Sequence, residues 1–411
     1  MRLRDVRVVL LTGPCTDDPW LSVFKQTRSA AFVEVETDTG VIGIGETYAG
    51  YFFPESVPLI VDYLKDILLN AAPFEDPAAL DIVTLTHRMR TCCAYWGRVG
   101  LGAAVIAGIE GALWDLKGRL LDQPVCDLLG GSSQADLPAY ATGGPSPWPA
   151  DQLIEKADFY LGLGFTAFKV SSGYVDSGSR EEVRARSADK AVAMEVEKLA
   201  LLRDHVGPDA GILLDGHMGH REGDDRWDLA TASRVLDALA PFGVFLFEEP
   251  LPYTDLPGYV ALTERSPIPV AGGEQLTTFE EFRTFVVNGA FTIGQPDAAW
   301  LGVGDFVRTA KLLAEQGSSV APHAWGAGGA VMQNVHAAFA SPNTLTVEIP
   351  PAAGPLHREI WGDSLVIRNG RVLRPDAPGL GIELTDRVKD AYPFRPGAEE
   401  FSSVPGKVMR S

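Results

Sequence analysis

Polar side chains that could perform acid–base chemistry or bind a metal ion recur between Gly211 and Gly328, each directly after a short apolar run. The runs read GILLDGH, VFLFEEP, IPVAGGE, FTIGQPD and SVAPH, and they supply Asp215, His217, Glu248, Glu249, Glu274, Asp297 and His323. The leading residues of successive segments are 23 to 33 residues apart, which leaves room for a loop, a helix and the next strand. This spacing is typical of repeated βα units.

The carboxyl ends of successive parallel strands converge on the top face of a (β/α)8 barrel. Asp215, Glu248 and Glu274 would form an all-oxygen site there, and such a site suits Mg²⁺. Each carboxylate by itself is equally consistent with capping the following helix or pairing with a Lys or Arg. Because three of them follow buried strands on successive units, we predict a magnesium site with these three ligands.

Two histidines accompany the carboxylates. His323 follows Pro322 at a strand end, and Asp297 ends the preceding unit, so the carboxylate can fix the imidazole tautomer and stabilise the imidazolium. A lone histidine is more often structural, but this placement favours a general base. His217 lies two residues beyond Asp215, and on a strand these positions share a face, so both should point into the barrel mouth. The alternative for His217 is a residue that only orients its neighbours by hydrogen bonding.

Composition limits the classes of partner. The chain has 411 residues, of which 46% are hydrophobic, enough for a barrel and a second domain. A formal net charge of -19 repels nucleic acid and anionic membranes, and we exclude both as partners. The four cysteines lack metal-type spacing, and the N-terminal apolar run is too short for a secretory signal. We therefore expect a cytoplasmic protein.

The elements ahead of the barrel are an antiparallel hairpin and helices. AAFVEVETDTGVIGIGE alternates around an Asp38-Thr39-Gly40 turn, and helical patterns follow near 56–70, 77–92 and 104–131. The segments 12–28 and 47–56 are predicted to be loops. The aromatic residues of the second, which include Tyr48, belong either to the hairpin core or to a lid over a neighbouring site.

The βα rhythm begins at Leu137 and ends with TLTVEIP, an eighth strand that carries Glu348. A polar loop over 171–186 explains the long step before Asp215. SLVIRNGRVLRP predicts a hairpin with an Asn369-Gly370 turn, which we assign to the first domain. The predicted fold is an α/β protein with a (β/α)8-type barrel and an α+β capping domain from both chain ends. The predicted boundaries are 1–135 for the N-terminal capping domain, 136–350 for the barrel and 351–411 for the C-terminal segment that completes the cap.

With these residues in view, the chain resembles the enolase superfamily, and within it the mandelate racemase group that includes acid sugar dehydratases. The resemblance rests on ALWDLKGRLLDQPVCDLLGG before the barrel, the Asp215, Glu248 and Glu274 series, the Asp297 and His323 pair, and PGLGIELTD near the end. It implies a capped barrel, one essential Mg²⁺, and removal of the proton next to a substrate carboxylate to give an enediolate.

The same resemblance suggests roles for further residues. His217 is similar to the dehydratase histidine that protonates a departing hydroxyl. Lys169 matches the first lysine of a Lys-x-Lys motif and would contact the substrate carboxylate, whereas Ser171 replaces the second lysine, a base in racemases. Glu348 is expected to bind the substrate carboxylate or to be structural. Tyr48 and Trp325 are further candidates for substrate contact, with packing at the barrel mouth as the alternative for Trp325.

The function predicted from these residues is dehydration of a hydroxylated sugar acid to a 2-keto-3-deoxy acid by a Mg²⁺-dependent lyase. The alternatives are a cycloisomerase of a sugar-acid lactone or anhydro-sugar acid, a racemase or epimerase, and a binding relative without activity. The intact predicted ligands argue against the last of these. We also expect a small-molecule sugar acid as the substrate and a homo-oligomeric state.

Overall fold

The computed structural model describes residues 1–16, 27–131, 134–143, 152–175, 182–183, 185, 187–221, 223–350 and 353–397. Most of the loop predicted at 12–28 and much of the one predicted at 171–186 lie outside these residues. Within the described residues, no helix is both long and apolar enough to cross a lipid bilayer.

The capping domain is built on an antiparallel sheet with the order β1-β2-β3. Its strands are β1 Leu3–Pro14, β2 Thr27–Thr37 and β3 Ile42–Thr47. The turn between β2 and β3 lies where the sequence predicts it, and Gly40 adopts a φ of 83° there, a value that favours glycine. The buried face of the sheet contributes residues such as Val33 and Val35 to the core of the cap.

Helices cover this sheet, and the longest lies directly against β3. The helices of this region are α1 Ala49–Phe52, α2 Val57–Leu69, α3 Ile82–Cys92, α4 Leu101–Leu121 and α5 Val125–Leu128. A Cβ added at Gly45 would lie 2.3 Å from the carbonyl oxygen of Gly108. The absence of a side chain at Gly45 therefore lets β3 approach α4 very closely. This contact explains why α4 is rich in small residues. The segment 47–56, predicted as a loop, is instead mostly helical.

The barrel is closed by parallel strands, as predicted. Among the described residues, the strands of this part of the chain are β4 Asp136–Ala141, β5 Ala167–Ser171, β6 Tyr174–Val175, β7 Glu182–Val183, β8 Gly211–Asp215, β9 Val244–Glu248, β10 Val270–Gly272, β11 Ile293–Gly294, β12 Ser319–Val320 and β13 Val347–Ile349. Strands β6 and β7 form a separate antiparallel pair. The other strands run in the order β12-β11-β10-β9-β8-β5-β4-β13. A parallel bridge between Val320 and Thr344 closes the ring.

Helices follow the strands of the barrel. They are α6 Leu153–Gly162, α7 Ala188–Val206, α8 Leu229–Leu239, α9 Leu256–Arg265, α10 Phe279–Val287, α11 Ala298–Leu301, α12 Val303–Glu315 and α13 Gly329–Phe339. The short α11 follows Asp297 and packs on α4 of the cap, whereas the others return on the outside of the barrel. A small apolar cluster that includes Leu213 and Leu246 fills the interior. Asp215 and Glu248 lie two residues further along the same strands and therefore share that inward face.

The C-terminal segment contains α14 Pro355–Trp361, β14 Ile367–Arg368, β15 Arg371–Leu373 and α15 Asp386–Ala391. The Asn369-Gly370 hairpin forms, but its assignment to the first domain is wrong. Strand β15 pairs with β4 of the barrel, with Val372 opposite Leu137. The first residues of β4 extend beyond its parallel pairing with β13, and their main-chain groups need hydrogen-bond partners.

The chain after this hairpin returns to the cap. The Thr12 N–H donates to the carbonyl oxygen of Tyr392 at 3.1 Å, and Leu380 N–H donates to Asp115 of α4 at 2.6 Å. The cap is therefore completed by the chain's C-terminal region. We propose the domain division at residues 135 and 350, with the hairpin at 367–373 moved to the barrel.

Candidate active site

The strand ends deliver the predicted side chains to one face of the barrel. Strand β8 ends at Asp215 and β9 at Glu248, and the two residues are register partners. Glu274, Asp297 and His323 follow β10, β11 and β12 within three residues of each strand's end. Parallel pairing forces these positions together, because neighbouring strands end at the same edge.

Lys169 lies at the centre of a buried carboxylate cluster. Its Nζ is 2.7 Å from Glu248 Oε2, 3.0 Å from Glu348 Oε1 and 3.1 Å from Asp215 Oδ2. Burial by itself lowers the pKa of Lys169, but Glu248 and Glu348 outweigh this effect and raise it well above its usual value. The surrounding carboxylates thus favour the charged form of Lys169. Glu348 also accepts from the Ala324 N–H at 2.8 Å, close to His323.

Potential metal donors meet beside this cluster. One donor atom from each of Asp215, His217 and Glu274 lies within 4.8 Å of the others, which gives His217 the place that the sequence assigns to Glu248. Glu248 nevertheless has a buried Oε1 without a hydrogen-bond partner among the described residues. The pKa of Glu248 is raised by burial and by Asp215, and that of Glu274 by burial and by Glu249. Excess buried negative charge and an unpartnered oxygen both fit a hard divalent cation.

Asp297 and His323 form the predicted pair. Asp297 Oδ2 accepts from His323 Nδ1 at 2.7 Å, which leaves Nε2 as the basic atom of the neutral ring. That Nε2 is 3.8 Å from Glu274 Oε2, so it faces the carboxylate cluster. Burial by itself lowers the pKa of His323, but Glu274 and the hydrogen bond with Asp297 together raise it to about 10.

His217 lies near the other oxygen of the Glu274 carboxylate. Its Nδ1 is 2.6 Å from Asp215 Oδ1, and its Nε2 is 3.9 Å from Glu274 Oε1. The strand ends at Asp215, and His217 has a left-handed φ of 47°, so a turn rather than strand alternation brings the two side chains together. The two imidazoles therefore flank Glu274.

Aromatic residues from the cap lie next to His323. The ring of Tyr48 is 5.4 Å from the His323 ring and 5.5 Å from that of Trp300. Tyr48 and Tyr51 are both buried and pack with Ala299, Trp325 and Ala330, so these two rings lie against the barrel mouth and not in the core of the hairpin. Trp325 is also buried, with the Arg28 guanidinium 3.7 Å from its ring centroid.

Sequence reasoning missed several polar residues around the site. Asn334 of α13 contacts Asp297, and Glu46 of β3 contacts the start of α13. Gln275 donates from Nε2 to both carboxylate oxygens of Glu249, at 3.0 and 2.9 Å. A usable signal was present for Glu46, the one charged residue of the strand IGIGET, and for Asn334, one of the few polar residues in the mostly apolar helix GAVMQNVHAAF.

Comparison with known proteins agrees with this geometry. Residues 152–388 match the family described as Enolase C-terminal domain-like. Residues 19–130 match the family described as Mandelate racemase / muconate lactonizing enzyme, N-terminal domain. Together the two matches cover both the cap and the barrel.

Individual relatives span most of the chain. An arabinonate dehydratase of Saccharolobus solfataricus is 29% identical over 87% of this chain and 89% of its own length. A D-galactarolactone cycloisomerase of Agrobacterium fabrum is 28% identical over 93% of this chain and 97% of its own. The crystal structure of a racemase from Streptomyces coelicolor A3(2) with bound magnesium has a TM-score of 0.78 and 27% identity, and covers 95% of this chain and 99% of that one. This chain therefore belongs to the mandelate racemase / muconate lactonizing enzyme family of the enolase superfamily.

Proposed function

We propose that this protein is a hydro-lyase that converts a hydroxylated sugar acid to a 2-keto-3-deoxy acid. The observation that supports it is the placement of two imidazoles on either side of Glu274, with distances of 3.9 and 3.8 Å from its two oxygens. Loss of water requires a base for the α-proton and an acid for the β-hydroxyl. His323 and His217 both lie beside Glu274 but contact different carboxylates, Asp297 and Asp215, so they can supply the base and the acid.

His323 is the proposed base, a role that requires its neutral ring. Glu274 is the carboxylate that raises the His323 pKa most, and a cation held there would offset that charge and favour the neutral ring. Its Nδ1 is bonded to Asp297, so Nε2 takes the substrate α-proton and Asp297 stabilises the imidazolium that results. The ring is held in one orientation before substrate binds, which reduces the entropic cost of reaching the reactive geometry.

Charge on the substrate is the second requirement, because removing a proton beside a carboxylate creates a dianion. The proposed ligands Asp215, Glu248 and Glu274 would hold Mg²⁺, which would supply Lewis-acid stabilisation of that charge. Three carboxylates and one divalent ion leave a charge near −1, which Lys169 offsets for an anionic substrate. Lys169 and Glu348 are the proposed contacts of the substrate carboxylate. Lys169 would bind it as a cation, whereas Glu348 would have to be protonated in the complex to donate a hydrogen bond. Tyr48 and Trp325 are the proposed contacts at the barrel mouth.

His217 is the proposed acid that protonates the leaving hydroxyl. A racemase in which a lysine at position 171 acts as the opposing base is disfavoured, because Ser171 occupies that position. The nearby Lys198 is buried, and its Nζ donates to the Ser171 carbonyl oxygen at 2.6 Å and to Glu195 at 2.9 Å. These hydrogen bonds orient the Lys198 ammonium toward the main chain of Ser171 and toward Glu195.

A cycloisomerase is the second candidate, because a relative of that activity aligns with 93% of this chain. It would use the same base on the same proton and expel an internal ring oxygen instead of a hydroxyl. The product separates the two reactions, since dehydration loses one water and cycloisomerisation leaves the mass unchanged.

The test is a screen of mono- and diacid sugars and their lactones, followed by turnover in D₂O with variants. We expect His323→Asn to abolish both product formation and α-proton exchange. We expect His217→Asn to lower water loss by about 10²- to 10⁴-fold while some exchange remains, since removal of a general acid costs that much. His205→Asn, at an exposed position near the end of α7, is the matched control and should be active. Full dehydration by His217→Asn, or exchange by His323→Asn, would overturn the assigned roles.

A further inference from the structure

Asn334 on α13 is fully buried and uses its side-chain amide to connect two elements. Its Nδ2 donates to Asp297 Oδ1 at 2.8 Å and to the Ala330 carbonyl oxygen at 3.0 Å. Its Oδ1 accepts from the Ala298 N–H at 2.7 Å. The amide nitrogen and the amide oxygen of Asn334 therefore both have hydrogen-bond partners, which fix the orientation of the side chain.

These bonds set the orientation of the Asp297 carboxylate. Oδ1 accepts from Asn334 and from the Ala299 N–H, both at 2.8 Å. Oδ2 is left to accept from His323 at 2.7 Å. Because two donors select one oxygen, rotation of the carboxylate away from His323 breaks two hydrogen bonds in a buried site, where unpaired polar groups are costly.

The helix that carries Asn334 is itself tied to the capping domain. Glu46 of β3 accepts from the Ala327 N–H at 2.8 Å through Oε1 and from the Ala330 N–H at 2.7 Å through Oε2. In return, the Glu46 N–H donates to Gln333 Oε1 at 2.7 Å. The start of α13 is thus fixed against β3, one helical turn from Asn334.

We propose that Asn334 is a positioning residue for the Asp297–His323 pair, and that Glu46 holds the helix on which it acts. The proposal rests on the role of His323 as the base proposed above. Asn334 reaches the reaction only through Asp297, since its amide contacts that carboxylate and main-chain atoms.

The kinetic test uses two substitutions of Asn334. Asn334→Leu removes all the side-chain hydrogen bonds. Asn334→Asp keeps an acceptor for the Ala298 N–H, loses the donors and places a second carboxylate beside Asp297. We expect both variants to lower kcat by about 10- to 100-fold with KM unchanged. Losses of this size are typical when a residue that hydrogen-bonds and orients a functional side chain is replaced. The control is Asn343→Leu, because Asn343 donates to the carbonyl oxygens of Ala310 and Ser318 instead. It loses two side-chain hydrogen bonds to main-chain carbonyl groups away from Asp297 and should retain kcat.

A second readout needs no substrate and so separates this proposal from the proposed function. In protein labelled with ¹⁵N-histidine, the Nδ1 proton of His323 should give a downfield signal that His323→Asn removes. We expect Asn334→Leu to shift or remove the signal and Asn343→Leu to leave it unchanged. This measurement tests the positioning role of Asn334 even if no sugar acid is turned over. An unaltered signal in Asn334→Leu, its absence in the wild type, or a kcat loss equal to that of Asn343→Leu would overturn the proposal.

Discussion

His336 makes the stability of the barrel depend on pH in a direction that the structure specifies. It lies on α13 with no exposed surface, and its Nδ1 accepts from the Cys126 N–H at 3.1 Å. Burial lowers its pKa from 6.5 to about 4, because the charged imidazolium loses hydration that the neutral ring does not need. We therefore predict that acid destabilises the fold partly through this residue.

The sign and size follow from proton linkage. Between about pH 6.5 and pH 4 the unfolded chain binds a proton at this histidine and the folded chain does not, so the free energy of unfolding falls as pH falls. A pKa lowered from 6.5 to about 4 corresponds to about 3 kcal/mol when the full interval has been crossed. His357 is also fully buried, and its pKa is lowered to about 3, so it acts in the same direction. A single substitution therefore isolates only the His336 part.

The assay compares wild type with His336→Asn in urea at several pH values between about pH 7 and pH 4.5. Asparagine can present Oδ1 to the Cys126 N–H but does not titrate. At neutral pH we expect the variant to be less stable by about 1–3 kcal/mol, because buried ring contacts are lost. Near pH 4.5 this difference should shrink by about 2.5 kcal/mol. His205→Asn controls for loss of an exposed histidine. A difference that stays constant with pH would refute the reasoning.

Two further predictions concern the metal ligands and the contact between cap and helix. Mg²⁺ titration by calorimetry should show weaker binding by Glu248→Gln than by His217→Asn, and the reverse order would make His217 the ligand in place of Glu248. Gly45→Ala should destabilise the fold by about 1–3 kcal/mol or more in urea unfolding, because its Cβ would lie 2.4 Å from the Ala112 nitrogen. The control is Gly162→Ala, because nothing lies within 4 Å of the Cβ added there. An equal loss of unfolding free energy in the two variants would contradict this steric argument.

The barrel and its strand-end residues were predictable because both depend on local pattern. Each strand is a short apolar run, and the polar residue after it can reach only the top face of the barrel. Asp215, Glu248 and the Asp297–His323 pair could therefore be placed on one face without knowledge of any long-range contact. The role of each residue in binding or catalysis remains a prediction.

The tertiary structure decided the contacts that join elements distant in the chain. The turn of the 367–373 hairpin is local and was predicted, but its pairing with β4 depends on which main-chain groups of the barrel lack partners. The segment after Thr47 became helical where it packs on β2 and α4, and the predicted loop did not anticipate that contact.

Asn334 and Glu46 show the same limit within the site. The sequence places Asn334 on an apolar helix 37 residues from Asp297, and a polar residue there has no local feature that identifies its partner. Glu46 is 284 residues from Ala330. The sequence by itself determined which residues stand at the strand ends, because strand periodicity is local. The orientation of those residues depends on hydrogen bonds between separate elements, and only packing of the cap on the barrel brings those elements together.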